Sequence, residues 1–207
     1  MSVHVIFVRH GETVWHAENR YAGGTDIELT ERGHAQAQAL ADWAEQADLT
    51  AIWASPLTRS QETARASAVR TGLPMRLDRR LRELDFGVAE GLTRTEMRQR
   101  FPDDLAAFQT DPVAHHFPKG ENPLDAADRY LAFLTDLQAH HPEGRVLVVS
   151  HSTAIRLALC RLLGLPPSEY RRIFPSLANC ALNELVLGDG VPSLLTLNRP
   201  VTPGALR

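Results

Sequence analysis

Two stretches of this chain, Val3-His4-Val5-Ile6-Phe7-Val8 and Arg145-Val146-Leu147-Val148-Val149, are apolar along nearly their whole length. A strand that is apolar on both faces has no side to offer water, so it belongs in a sheet covered by helices above and below. That requirement selects a layered α/β fold built on largely parallel strands. Each stretch also ends on a histidine: Arg9-His10-Gly11-Glu12-Thr13 follows the first and Ser150-His151 the second. The carboxyl ends of strands are where an open α/β sheet does its chemistry.

Between these strands the pattern alternates. Thr30 is placed to cap a helix from Glu31 to about Gln46, with Ala37, Leu40, Ala41 and Ala44 on one apolar face. Ala51–Ser55 reads as a strand and Thr58–Arg70 as a helix ended by Gly72 and Pro74; Met75–Leu77 reads as a short strand before an irregular stretch from Arg79 to Gly91. Thr93 and Glu96 form a capping box for another helix. Residues 102–123, with prolines at 102, 112, 118 and 123, read as a long loop of little regular structure. A helix from Pro123 to His140, the His151 strand, a helix from Thr153 to Leu163 and a hairpin around Gly188-Asp189-Gly190 complete the chain. The expectation is one domain over residues 1–207: a three-layer α/β/α sandwich with a mostly parallel central sheet, and a lid or specificity segment at about 93–125.

Composition narrows the partners. The 207 residues are 43% hydrophobic with a net charge of -3, and the 22 basic residues, of which only Lys119 is lysine, form no basic stripe, so nucleic acid is not expected. No apolar run has membrane-spanning length and no leader pattern precedes the first strand; a cytoplasmic protein is expected. Cys160 and Cys180, one in a predicted helix and one in a predicted strand, read as free buried thiols. Nine histidines raise the possibility of a metal-dependent hydrolase, but neither His-x-His nor His-Glu-x-x-His occurs, and no metal or other cofactor is expected.

Four motifs occur in order: Arg9-His10-Gly11-Glu12-Thr13; Ser55-Pro56-Leu57-Thr58-Arg59-Ser60-Gln61-Glu62-Thr63-Ala64; Leu81-Arg82-Glu83-Leu84-Asp85-Phe86-Gly87; and Val149-Ser150-His151. Together they resemble the histidine phosphatase superfamily, which includes the cofactor-dependent phosphoglycerate mutases. The resemblance implies a phosphoglycerate mutase-like fold, His10 as a nucleophile that becomes phosphohistidine, and Arg9, Arg59 and His151 holding the phosphoryl oxygens. It makes Glu83 the general acid and base, with a raised proton affinity expected from apolar neighbours Leu81, Leu84 and Phe86. Asp85, Glu90 and Glu121 are read instead as exposed salt-bridge partners. Ala22 and Gly23 fall where relatives bring backbone amides to the ligand, although turn chemistry explains them equally well.

Two positions depart from the family pattern. His16 follows Trp15 where relatives often carry an asparagine that contributes to phosphate binding, and an imidazole N–H can donate a similar bond. Ser152 stands where glycine is usual after the strand-end histidine; its N–H can still serve phosphate and its hydroxyl can cap the helix. The expected partner is a small-molecule phosphate ester; Phe117 and Lys119 are candidates for its apolar or second anionic part, as are Phe101, Phe108, His115 and His116, although Phe101 and Phe108 read more readily as core residues of short helices and the paired histidines as solvated. The chain is expected to be a monomer or homodimer. Its length and the sequences Phe117-Pro118-Lys119-Gly120-Glu121 and Gly164-Leu165-Pro166 resemble the smaller phosphatase branch, which includes α-ribazole and broad-specificity phosphatases. Phosphoglycerate mutase-type transfer and a catalytically inactive binding module are the alternatives.

Overall fold

In the computed structural model, which describes residues 2–201, β1 (Val3–Arg9) lies inside a six-stranded sheet. With β2 (Ala51–Ala54), β3 (Met75–Leu77), β4 (Gly144–Ser150), β5 (Leu182–Leu187) and β6 (Ser193–Arg199), the spatial order is β3-β2-β4-β1-β5-β6. The first four strands in that order are mutually parallel; β5 and β6 form an antiparallel hairpin that joins the sheet through β1. Alternation along β1 sorts the core in two. Val3, Val5 and Phe7 pack with α6 (Pro123–His140) and α7 (Ser152–Leu162), while Ile6 and Val8 face α2 (Glu31–Ala44) and α3 (Thr58–Thr71). This is the expected three-layer α/β sandwich.

Register places the two strand ends side by side. Arg9 pairs with Ser150 across β1 and β4, and the N–H of His10 donates to the Ser150 carbonyl at 3.0 Å, so His10 and His151 leave the sheet together. The local signals read in the sequence hold here: the Thr30 hydroxyl accepts from Gly33 N at 3.0 Å, Gly72 ends α3 in the left-handed conformation, and Thr93 with Glu96 forms both arms of a capping box on α4 (Arg94–Arg100). Cys160 and Cys180 are buried free thiols.

The expected structureless loop over 102–123 is corrected by α5 (Pro102–Thr110). Pro102 stands at the helix start, where its missing N–H costs nothing, and Asp103 and Asp104 in the first turn complement the helix dipole. Leu105 and Phe108 then face inward, and the Phe108 and Phe117 rings lie 4.1 Å apart. Two single-turn helices were likewise not anticipated, α1 (Val14–Ala17) and α8 (Tyr170–Ile173). Among the described residues no helix is long and apolar enough to cross a membrane.

Candidate active site

His10 sits directly beyond β1 with only 4% of its surface exposed. Its Nδ1 lies 2.7 Å from the Gly11 carbonyl, an acceptor, so Nδ1 carries the ring proton and Nε2 keeps a lone pair. Gly11 is required here because a Cβ would stand 2.6 Å from the Gly33 carbonyl oxygen, while its own N–H donates to Thr63 Oγ1 at 3.0 Å. The His10 carbonyl is held from behind by Asn179 Nδ2 at 2.7 Å. Burial, followed by the positive fields of Arg59 and Arg9 and the neighbouring His151, holds the His10 imidazole well below its ordinary titration range. A neutral ring with one lone pair fixed in direction is suited to attack an electrophile.

Arg59, in the first turn of α3, is fully buried. Its Nε–H donates to His10 Nε2 at 3.2 Å, and its two remaining nitrogens donate to the carbonyls of Thr25 and Gly23 at 2.8 Å each. Gly23 therefore serves by anchoring Arg59 through its carbonyl, and Ala22, not Gly23, lines the cavity. A Cβ at Gly23 would collide with Glu90 Oε1 and the Leu84 carbonyl.

Arg9 at the end of β1 donates to the Leu177 carbonyl at 2.8 Å, and its Nε is buried without a partner. Burial lowers its pKa to about 10, which leaves it charged at neutral pH. Its second terminal nitrogen lies against His16 Nε2. The backbone N–H of Thr13 donates to His16 Nδ1 at 2.9 Å, so the neutral ring carries its proton on Nε2. Burial and Arg9 push His16 down to about 3. Two donors, from Arg9 and His16, thus converge where only an acceptor could satisfy both.

His151 is fully buried, its ring centroid 5.1 Å from that of His10; Nε2 contacts the Ser55 hydroxyl at 2.8 Å and Nδ1 has no partner. Burial, then Arg59, keeps it well below the ordinary imidazole range. Glu83 reaches the N-terminus of α7: Oε1 accepts from Ala154 N at 2.9 Å and from Leu84 N at 2.9 Å, and Oε2 from Thr153 N at 3.0 Å. The carboxyl is buried, as expected, and it also accepts from three backbone donors that were not anticipated. The helix cap expected from the Ser152 hydroxyl is also absent: α7 begins at Ser152 with His151 as its N-cap, and Glu83 satisfies the orphan N–H groups from outside.

Other expectations shift as well. Glu121 does pair with Arg129, whose guanidinium also binds the carbonyls of Arg80, Arg82 and Glu83 and so braces the Glu83 segment. Asp85 and Glu90 accept backbone N–H bonds, from Gly87 and from Gly24 and Phe86 respectively. Phe108 is a core residue as expected, Phe117 joins it there, and His115, His116 and Lys119 line a separate hollow of about 260 Å³.

Arg9, His10, His16, Glu83 and Ser152 open into one cavity of about 970 Å³; Arg59 and His151 stand behind it. Arg156 and Arg171 also line it, and sequence reasoning missed both. Arg156 follows Ser152 by four residues, one helical turn, which was a readable signal; Arg171 arrives on the unanticipated α8.

A cationic cavity floored by a neutral histidine and a buried arginine at strand ends defines a protein of the phosphoryl-transfer class. The histidine phosphatase superfamily (branch 1) matches residues 5–200, and the chain belongs to that superfamily. It is 33% identical to Phosphoserine phosphatase 1 of Hydrogenobacter thermophilus, covering 81% of this chain and 80% of that one. It is 38% identical to an Enterobacter protein named Probable phosphoglycerate mutase GpmB, covering 87% and 83%. A mycobacterial glucosyl-3-phosphoglycerate phosphatase, solved in complex with VO3, superposes with a TM-score of 0.87 at 29% identity over 95% of this chain and 99% of that one. The chain is thus a phosphatase-family enzyme, and its fold is that of its relatives.

Proposed function

We propose that this protein hydrolyses a small phosphate monoester through a phosphohistidine on His10. The carrying observation is the Nδ1 contact of His10 with the Gly11 carbonyl, which leaves Nε2 as the attacking atom beside a charged Arg9. Nε2 forms a bond to phosphorus as the bond to the ester oxygen breaks, and Glu83 in its acid form hands its proton to the leaving alkoxide. Water then attacks the phosphohistidine, its proton passes to the Glu83 carboxylate, and inorganic phosphate leaves. Arg9 and the Nε2–H of His16 meet one phosphoryl oxygen, the acceptor their converging donors lack. Once Nε2 is bonded to phosphorus, the fixed Arg59 Nε–H that faces it meets a phosphoryl oxygen in place of the lone pair, and His151 offers its unpartnered Nδ1 side to the same group, gaining a proton when the dianion binds. Ser152 and Ala22 border the phosphate from the cavity wall.

Water is favoured as the acceptor because the cavity leaves room for it beside a small ester; the likeness to a protein named as a mutase is the ground for assaying transfer alongside. The reaction uses no metal on this reading, and the described residues contain no cluster of three or more metal-ligating side chains. Two buried thiols support a cytoplasmic location, and the single domain, closed by segment 93–125, works as a monomer or as a homodimer through its edge hairpin. The test is phosphate release from a panel of sugar phosphates, phosphoglycerates, nucleotides and phosphoserine, with EDTA present and a phosphoglycerate interconversion assay in parallel. Release that survives EDTA is expected; interconversion without release would make the protein a mutase, and inhibition by EDTA would overturn the metal-free reaction.

A further inference from the structure

The cavity is also lined by two guanidinium groups that the phosphate reading leaves without a role. Arg156 projects from α7, with Nε donating to the Ser152 carbonyl and NH1 to the Phe174 carbonyl, both at 3.1 Å, and its guanidinium carbon 4.9 Å over the Tyr170 ring. Arg171, from α8, donates to the Tyr170 hydroxyl at 2.9 Å and stacks 4.4 Å over Phe108. Both are therefore fixed in direction by aromatic faces and backbone, which is preorganisation a mobile surface arginine lacks.

Neither is paired with a carboxylate among the described residues. Arg20, which also lines the cavity, is neutralised by Glu18 and Glu96. Glu83 also faces the cavity and its charge acts on Arg156, but it forms no ion pair with either arginine, its oxygens being held by the N–H groups of Leu84, Thr153 and Ala154. Two half-buried, immobilised cations that no carboxylate pairs with directly form a site for an anion, because desolvating a charge is costly unless an opposite charge meets it.

Resting on the phosphohistidine reading of the same cavity, we infer that Arg156 and Arg171 form a second anion subsite, selecting phosphate monoesters whose organic part carries another oxyanionic group. The free edges of the two guanidinium groups present paired donors, which suit a carboxylate or a second phosphate. Neutral alcohols and sugars leave both arginines unmatched.

The test uses ligands that differ at this one point: 3-phosphoglycerate, glycerol 3-phosphate, in which a hydroxymethyl replaces the carboxylate, and propane-1,3-diol bisphosphate. Calorimetric binding to the His10→Ala protein reads the subsite without turnover. Both doubly anionic ligands are expected to bind about tenfold or more tighter than glycerol 3-phosphate, as charged hydrogen bonds allow. Their order tells carboxylate from second phosphate. Arg171→Gln, with Arg156→Gln as a second variant, is expected to bring these affinities together. In enzyme with His10 intact, the same substitutions are expected to lower the kcat/KM ratio of 3-phosphoglycerate to glycerol 3-phosphate through KM. Equal binding of all three ligands, or equal loss for charged and neutral esters in both variants, would overturn the subsite. Selective binding without any phosphate release would overturn the proposed reaction and leave the subsite standing.

Discussion

The Nε–H of Arg59 points at the Nε2 lone pair of His10 from 3.2 Å, and the same guanidinium is locked behind by the carbonyls of Gly23 and Thr25. Three directions of donation from one planar group cannot be reproduced by lysine. Arg59→Lys is therefore expected to lower kcat by roughly 10²–10³, the loss typical of one preorganised donor. Stability should also fall, by about 1–3 kcal/mol, from a carbonyl left unsatisfied. Steady-state kinetics with matched melting curves check both, and an unchanged kcat would remove Arg59 from the site.

Stability should depend on pH through the buried imidazoles. Burial holds His10 and His151 well below their ordinary range and His16 at about 3, whereas all three regain ordinary behaviour when unfolded. As pH falls through about 6.5 the unfolded chain takes up protons that the folded chain refuses, so stability is full above that point and declines below it, by up to about 1.4 kcal/mol per pH unit for each histidine. Urea unfolding between about pH 8 and pH 5 should show the decline, and replacing His16 by Gln should make it shallower. A flat profile in the parent protein would contradict the burial of these rings.

Glu83→Gln removes the proton donor and also places an amide against the N–H groups of Thr153 and Ala154. Alkyl phosphates, with poor leaving groups, should slow by about 10²–10⁴, and p-nitrophenyl phosphate much less. Equal losses for the two would count against proton donation by Glu83.

At Gly11 the backbone passes so close to Gly33 that neither tolerates a Cβ: the added atom would meet the Gly33 carbonyl at 2.6 Å, and one on Gly33 would meet the Glu12 carbonyl at 2.1 Å. Gly11→Ala is expected to cost about 1–3 kcal/mol or more, read as a lowered Tm. A melting point equal to that of the parent would show that this crossing relaxes easily.

The parts of this molecule that were legible in its sequence are those fixed by short-range chemistry. Doubly apolar strands announced β1 and β4, Thr30 and Thr93 announced helix starts, and the strand-end positions of His10 and His151 announced the site. Proline misled at α5, where Pro102 read as a breaker but stands at the one helical position that favours it. Glu83 was identifiable by its motif, whereas its contacts depend on the N-terminus of α7, some seventy residues away along the chain. Arg171 was invisible because its position depends on Phe108 of α5, a distant part of the chain, meeting the short helix α8.

The central claim is that phosphate passes through His10. Rapid acid-free quenching of the enzyme with a slow phosphate ester, followed by peptide mass mapping, should find one alkali-stable, acid-labile phosphoryl group on the peptide containing His10. The adduct should be absent from His10→Ala protein and should accumulate in Glu83→Gln protein supplied with p-nitrophenyl phosphate. Turnover with no such adduct, or an adduct on any other residue, would contradict the account.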